Sequence, residues 1–297
     1  MNEPVWPAPA KLNLFLHVTG RRSDGYHELQ TVFQLIDLID ELSFSVNQSG
    51  QISRVVGPKT IAPADDLVVR AAQALRQAAG RADLGVDIQL NKRIPIGAGL
   101  GGGSSDAATV LVALNALWGL DWPLERLLAL GLTLGADVPF FIGGQNAWGA
   151  GVGEQLTPVS LPVRAYSVVF PGVAVSTADI FQASELTRNS PAITIGGSVF
   201  ATATTLALPG RNDLEPVVVN RYPAVEAALR WLTERAPARM TGSGASVFSV
   251  CLTRQAAQVV LQGLPADWLG FAVDGLTHSP LMERLAVERA LTGAIGA

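Results

Sequence analysis

Pro95-Ile96-Gly97-Ala98-Gly99-Leu100-Gly101-Gly102-Gly103-Ser104-Ser105-Asp106 is the stretch on which the reading of the whole chain turns. Five of the seven positions 97–103 are glycine, and the run passes directly into a helix-like segment, 107–118. Glycine brings no apolar side chain and loses the most backbone freedom on folding, so the run is poor core material. It supplies instead exposed N–H groups at a helix entrance, where the helix dipole also favours negative charge. The stretch therefore reads as a phosphate cradle, with a ligand-free glycine turn as the plain alternative.

Composition limits what surrounds this loop. A chain of 297 residues is long for one core, and two lobes of about 150 residues each are the natural division. The formal charge of -4, with no basic run, offers no general attraction to nucleic acid or to an anionic membrane, so polyphosphate must be held by local groups. One cysteine, Cys251, excludes an internal disulfide framework and fits a reducing compartment. Residues 1–9 lack the pattern of a signal peptide, and no run of about 18 apolar residues follows, so the expectation is a cytosolic protein. Only three of the 21 cationic residues are lysine (Lys11, Lys59 and Lys92), which marks each as a position that needs a compact ammonium.

Outward from the loop, residues 10–18 alternate, with Leu12, Leu14, Leu16 and Val18 on one face and Lys11, Asn13, Phe15 and His17 on the other. This predicts a half-buried strand whose polar face is either solvated or functional. A polar loop with Gly20 and Gly25 follows and ends in Tyr26-His27, a ring face beside a hydrogen-bonding edge. Residues 29–46 read as two strands separated by an Asp-rich turn near Asp37 and Asp40. A helix over 65–79 and a strand over 86–90 lead into the glycine loop. Ser104 or Ser105 is expected to cap the next helix, and Asp106 to assist the cap or hold a metal ion. Asp137 follows a helix at 123–134 in a Gly/Pro-marked turn, where an N-cap is its plain reading.

The texture changes near 154–162, which places a lobe boundary between residues 1–157 and 158–297. Beyond it come a strand at 165–170, a short helix opened by Ser176-Thr177, and a helix from Asn212 towards Arg235 with interruptions. A second glycine/serine loop, 240–246, precedes another strand, helix and strand. Irregularly interleaved helices and strands predict an α+β fold.

The glycine run fits some phosphate-binding patterns and not others. A Walker loop needs Lys-Ser/Thr after its last glycine, and Gly103 is followed by Ser104-Ser105. Gly97, Gly99 and Gly102 satisfy the dinucleotide spacing, with Asp121 at a suitable distance. Against that reading, Pro95 interrupts the approach, Asp121 follows a helix, and the motif lies far from the N-terminus.

The run 95–105 resembles the ATP-binding loop of the GHMP kinases. The stretches 9–14, 22–29 and 135–141 are similar to one branch of that superfamily, whose substrate is a cytidine diphosphate-linked methylerythritol, and 240–246 resembles the superfamily's C-terminal glycine motif. The resemblance implies two α+β lobes with the active site in the cleft between them. It implies ATP held by Pro95, Ile96, Gly97, Ala98, Gly99, Leu100, Gly101, Gly102, Gly103, Ser104 and Ser105, and Mg²⁺ arriving with the nucleotide. Ser105 or Asp106 is in reach of that ion, and no dedicated carboxylate cage is visible. Catalysis falls to Asp137 as base with Lys11 beside it. Tyr26 and Phe181 are expected to stack on the cytosine, His27 to read its edge, and Asn13 and Thr177 to contact polar atoms. Direct transfer to the 2-hydroxyl, in the non-mevalonate isoprenoid route, is the implied reaction. Other small-molecule kinases of the superfamily and a catalytically silent binding protein are the rival readings; the latter is expected to lack Lys11 or Asp137, and both are present.

Overall fold

The computed structural model describes residues 4–193 and 210–295. The first half contains strands β1 (Trp6–Arg21), β2 (His27–Asn47) and β3 (Ile52–Val56), helix α1 (Leu67–Ala79) and strand β4 (Gly85–Asn91). Helices α2 (Gly102–Leu117), α3 (Leu124–Leu134) and α4 (Val138–Gly143) and strands β5 (Ala147–Ala150) and β6 (Gln155–Pro158) complete it. The second half runs β7 (Ala165–Phe170), α5 (Thr177–Gln182), α6 (Glu215–Arg221), α7 (Pro223–Thr233), β8 (Ala238–Met240), β9 (Val247–Cys251), α8 (Arg254–Val260), β10 (Leu269–Asp274) and α9 (Pro280–Ile295).

The strands form two sheets, as an α+β fold requires. The first has the order β3-β4-β2-β5-β6, with β1 also paired to β2; the second has the order β10-β7-β9-β8 and is antiparallel throughout. Helices α1 to α4 cover the first sheet around a core that includes Trp6, Leu75, Val110 and Phe140. Helix α9 crosses back to pack on β1 and α2, bringing Leu281 into that same core. No helix among the described residues is long and apolar enough to cross a membrane.

Three local expectations are corrected. Strand β1 is buried on both faces, Lys11, Asn13 and His17 included. A register shift between Asn13 and Leu16 also breaks the predicted alternation, because the bulged residues Leu14 and Phe15 both enter the core. The Asp-rich turn does not exist: β2 is one strand of 21 residues, and its irregularity is a bulge opposite Pro9-Ala10. The acids there need no solvent because remote groups satisfy them. Asp40 accepts from the N–H groups of Arg93 and Ile94 and pairs with Lys92, while Asp37 accepts from Asp274 N–H and pairs with Arg254. Lastly, neither serine caps α2. The helix starts earlier, at Gly102, and its N-cap is Gly101, whose φ of +74° suits a residue without a Cβ.

Leu12 is fully buried in β1 between the two lobes. Leu12→Ala is expected to lower unfolding stability by about 2–5 kcal/mol, measured as a shift of the urea midpoint; an unchanged midpoint would show that β1 is not a central element of the core.

Candidate active site

The site grows from the outer edge of β1. One edge of this strand pairs with β2, and the N–H groups of the other edge go elsewhere. Lys11 N–H donates to Leu100 O at 3.0 Å, and Asn13 N–H to Thr241 Oγ1 at 2.8 Å. Leu16 N–H donates to Arg211 O at 3.0 Å and Val18 N–H to Asp213 Oδ2 at 2.8 Å. The bulge moves the outward donors from odd to even residues, so a single strand holds the glycine loop at one point and the C-terminal lobe at three.

The two glycine loops meet beside Lys11. Ser246 N–H donates to Ala98 O at 3.0 Å, and a Cβ at Gly99 would stand 2.5 Å from Gly244 O. A Cβ at Gly101 would stand 2.8 Å from the Phe141 ring and 3.0 Å from Lys11 Cγ, and one at Gly242 3.1 Å from Asn13 Oδ1. Here glycine is required by close approach as well as by positive φ at Gly97, Gly99, Gly101 and Gly242. Residues 95–104 line a cleft of about 560 Å³, and Ser105 is buried beneath it.

Asp137 also lines this cleft, at the start of α4. It occupies the N-cap position yet accepts no capping hydrogen bond. The next residue but one is Pro139, which has no N–H to offer. The carboxylate is one-third exposed, and its Oδ2 lies 3.6 Å from Lys11 Nζ. The plain N-cap reading of Asp137 therefore does not hold. Lys11 also donates to Asn13 Oδ1, and Asn13 Nδ2 to Thr31 Oγ1 at 2.9 Å, so the ammonium is held from behind.

A second lysine lies under the glycine loop. Lys92 Nζ pairs with Asp40 and, at 2.7 Å, with Asp106 Oδ2. Asp106 thus serves neither as a cap nor as an assistant to one. Burial pushes its carboxyl up to about 8, with Asp40 adding to the effect and Lys92 opposing it. Burial depresses Lys92, but the two carboxylates outweigh it and hold the ammonium above its ordinary value. Two of the three lysines of the chain, Lys11 and Lys92, line this one cleft.

The remaining predicted residues divide. Asn13, Thr177 and Phe181 line the cleft, and Thr177 Oγ1 lies 2.7 Å from Ser243 Oγ. His27 is buried with its ring 5.2 Å from that of Phe181 and Tyr26 is 64% exposed; neither is among the residues that line the cleft. Sequence reasoning passed over Thr241, Ser243 and Arg188. The first two lie within the second glycine loop that was noted; Arg188 carried no local signal.

This fold and cleft define a class. Residues 66–145 match the GHMP kinases N terminal domain and residues 196–269 match GHMP kinases C terminal, a family that implies ATP as phosphoryl donor. The 4-diphosphocytidyl-2-C-methyl-D-erythritol kinase of Thiobacillus denitrificans is 54% identical over 279 residues, covering 94% of this chain and 98% of that one. The enzyme of the same name from Cupriavidus metallidurans is 53% identical over 276 residues, covering 93% and 94%. The chain belongs to the 4-diphosphocytidyl-2-C-methyl-D-erythritol kinase family and is a kinase. A crystal structure of 4-(cytidine 5'-diphospho)-2C-methyl-D-erythritol kinase superposes with a TM-score of 0.79 at 37% identity, covering 92% of this chain and all of that one. A mevalonate kinase structure, 13% identical over 93% of this chain and 100% of that one with a TM-score of 0.65, shares the fold.

Gly99 and Gly119 both have positive φ, but a Cβ at Gly119 meets nothing within 4 Å. Gly119→Ala should therefore cost only the left-handed strain, about 1–2 kcal/mol, and leave KM for ATP unchanged. Gly99→Ala should cost more and raise that KM, because the two loops must part. Equal effects in urea unfolding and ATP kinetics would contradict the close-packed loop pair.

Proposed function

We propose that the protein transfers the γ-phosphoryl group of ATP directly to the 2-hydroxyl of 4-diphosphocytidyl-2-C-methyl-D-erythritol, with Asp137 as base and Lys11 assisting. The observation that carries this reading is the Lys11–Asp137 pair, 3.6 Å apart in the cleft that residues 95–104 line. In this step the bond from the γ-phosphorus to the ADP oxygen breaks, a bond to the substrate oxygen forms, and the hydroxyl proton passes to Asp137. Positioning and charge stabilisation supply most of the catalysis in such a transfer. An uncapped carboxylate has its oxygens free to take the proton, and the ammonium of Lys11, held by Asn13, offsets charge on the γ-phosphate. Residues 95–105 hold the triphosphate, with the N–H groups of 96–104 and the entrance of α2 as the donors.

Mg²⁺ comes with the nucleotide, held chiefly by phosphates and water. The residues present fit an ion so carried: Asp106 lines the cleft with its Oδ1 unpartnered and would be the side chain in reach of it. When bound, the ion neutralises charge on the phosphates.

The cytosine ring lies against Phe181, with Tyr26 closing over it, His27 at its edge, and Asn13 and Thr177 contacting polar atoms. Support comes from the nearness of His27, Phe181 and Thr177 to the cleft and from the substrate in the relatives' name. The lobes divide at about 157/158, at the last residues of the first sheet's final strand (Gln155–Pro158) and ahead of the second sheet's first strand at Ala165. The reaction belongs to the non-mevalonate isoprenoid route, takes place in the cytoplasm, and involves neither nucleic acid nor membrane.

Incubation of the protein with ATP and 4-diphosphocytidyl-2-C-methyl-D-erythritol, followed by phosphorus NMR, should give a new monophosphate at the 2-position. Asp137→Asn should lower kcat by at least about 100-fold with an unchanged urea midpoint. Near-normal turnover in that variant would overturn the base assignment, and a product phosphorylated elsewhere would overturn the acceptor.

A further inference from the structure

We propose that Arg188 is the positioning residue of the base pocket: its guanidinium fixes His27 as the tautomer that donates from Nδ1 and locks Phe181 beside it, so the pocket selects cytosine over uracil. This rests on the cytidine reading of the cleft given above.

The geometry is specific. Arg188 Nε donates to His27 Nε2 at 3.0 Å, across 161 residues of sequence. A guanidinium N–H can only donate, so Nε2 must be the unprotonated acceptor and the proton of a neutral imidazole must sit on Nδ1. The ring is neutral at neutral pH, since burial holds His27 below its ordinary range and the charges of Arg188 and Arg21 add to that. No described group accepts from Nδ1, and the ring lies against Phe181, which lines the cleft. The rest of the guanidinium is spent on α5 and the residues that follow it. Nη2 donates to Phe181 O at 3.1 Å and to Ala183 O at 2.6 Å, and Nη1 donates to Leu186 O at 3.1 Å. One planar group thereby ties the helix that carries Phe181 and Thr177 to the imidazole of His27, whose ring lies 5.2 Å from Phe181 and tilted by 30°.

The chemical consequence follows from the two pyrimidines. Cytosine presents an unprotonated N3, an acceptor, beside its O2, whereas uracil carries a proton at N3. A fixed Nδ1–H donor pairs with the first and opposes the second. In water a free imidazole prefers its proton on Nε2, which would turn an acceptor towards the base; without Arg188 the preference for cytosine should collapse.

Arg188 also satisfies carbonyl groups at the end of α5, and a purely capping role would destabilise the helix without affecting the tautomer. The test therefore reads both. Long-range ¹H–¹⁵N spectra of the wild-type protein should show, for one of the three histidines, a protonated Nδ1 and an unprotonated Nε2; His27→Gln identifies that signal by its loss. Inhibition of the kinase by CMP and by UMP measures base preference. Arg188→Met should reduce the CMP-over-UMP preference by about tenfold, the scale of a lost charge-assisted hydrogen bond. It should also raise KM for the cytidine substrate to a similar extent, leave KM for ATP unchanged and shift the His27 signals towards protonated Nε2. Arg188→Lys, which retains a donor, should recover part of the preference. If wild-type His27 carries its proton on Nε2, or if Arg188→Met keeps the CMP preference, the positioning role is overturned while the cytidine reading stands. If the wild-type protein itself fails to distinguish CMP from UMP, the pocket reading falls, and this inference with it.

Discussion

The outward-facing N–H groups of β1 are the constraint on which the remainder of the structure depends. A strand in the middle of a fold cannot leave such donors unpaired, and an open edge would otherwise recruit another chain. Here they are taken by a glycine-loop carbonyl, a threonine hydroxyl, a loop carbonyl and a buried carboxylate, drawn from three segments of the chain. Satisfying the edge therefore assembles the cleft. It sets Lys11 against Leu100, places Asn13 against the second glycine loop, and fastens the C-terminal lobe to the N-terminal sheet. The bulge at Leu14-Phe15 is part of the same device, because without it the strand would aim its outward donors at one parity of residues throughout.

Given that edge, the glycines follow from space. The loops 95–105 and 240–246 approach so closely that a Cβ at Gly99 would overlap a backbone oxygen of the other loop. Backbone N–H groups can then reach a polyphosphate without intervening side chains. The protein as a whole is acidic, at -4, and its attraction for such a ligand has to be local. Of the two lysines that line the cleft, Lys92 sits between Asp40 and Asp106, which spends its charge within the protein; Lys11, paired among the described residues with Asp137 alone, provides that attraction.

What could be read from the sequence was what is decided locally. Helix α1 starts where Asp66 caps it, with the side chain accepting from Val68 N–H, and α5 starts where Ser176 accepts from Asp179 N–H. The glycine run announced both its backbone conformation and its place ahead of α2. Features decided by distant partners were not legible. Asp37 and Asp40 looked like turn residues because acids are normally solvated, and nothing nearby in sequence indicated that Arg254, Lys92 and three backbone N–H groups would receive them within a continuous strand. Ser104 and Ser105 looked like caps, but the glycine before them could start the helix one turn sooner. Arg188 was invisible because its partner His27 lies 161 residues away.

Asp137 shows how a local rule can point to a site by being broken. An aspartate ahead of a helix normally accepts from the second or third N–H of that helix, which is worth about 1 kcal/mol. In Asp137-Val138-Pro139 the second position is a proline, so one of those two donors is absent from the sequence itself, and the side chain caps nothing in the fold. The freed carboxylate comes within 3.6 Å of Lys11 in the cleft that the glycine loop also lines. A residue forgoes a stabilising bond at low cost only where another arrangement constrains it, and here that arrangement is the buried ammonium held by Asn13 on β1. The strand edge that organises the fold thus also determines where the free carboxylate points.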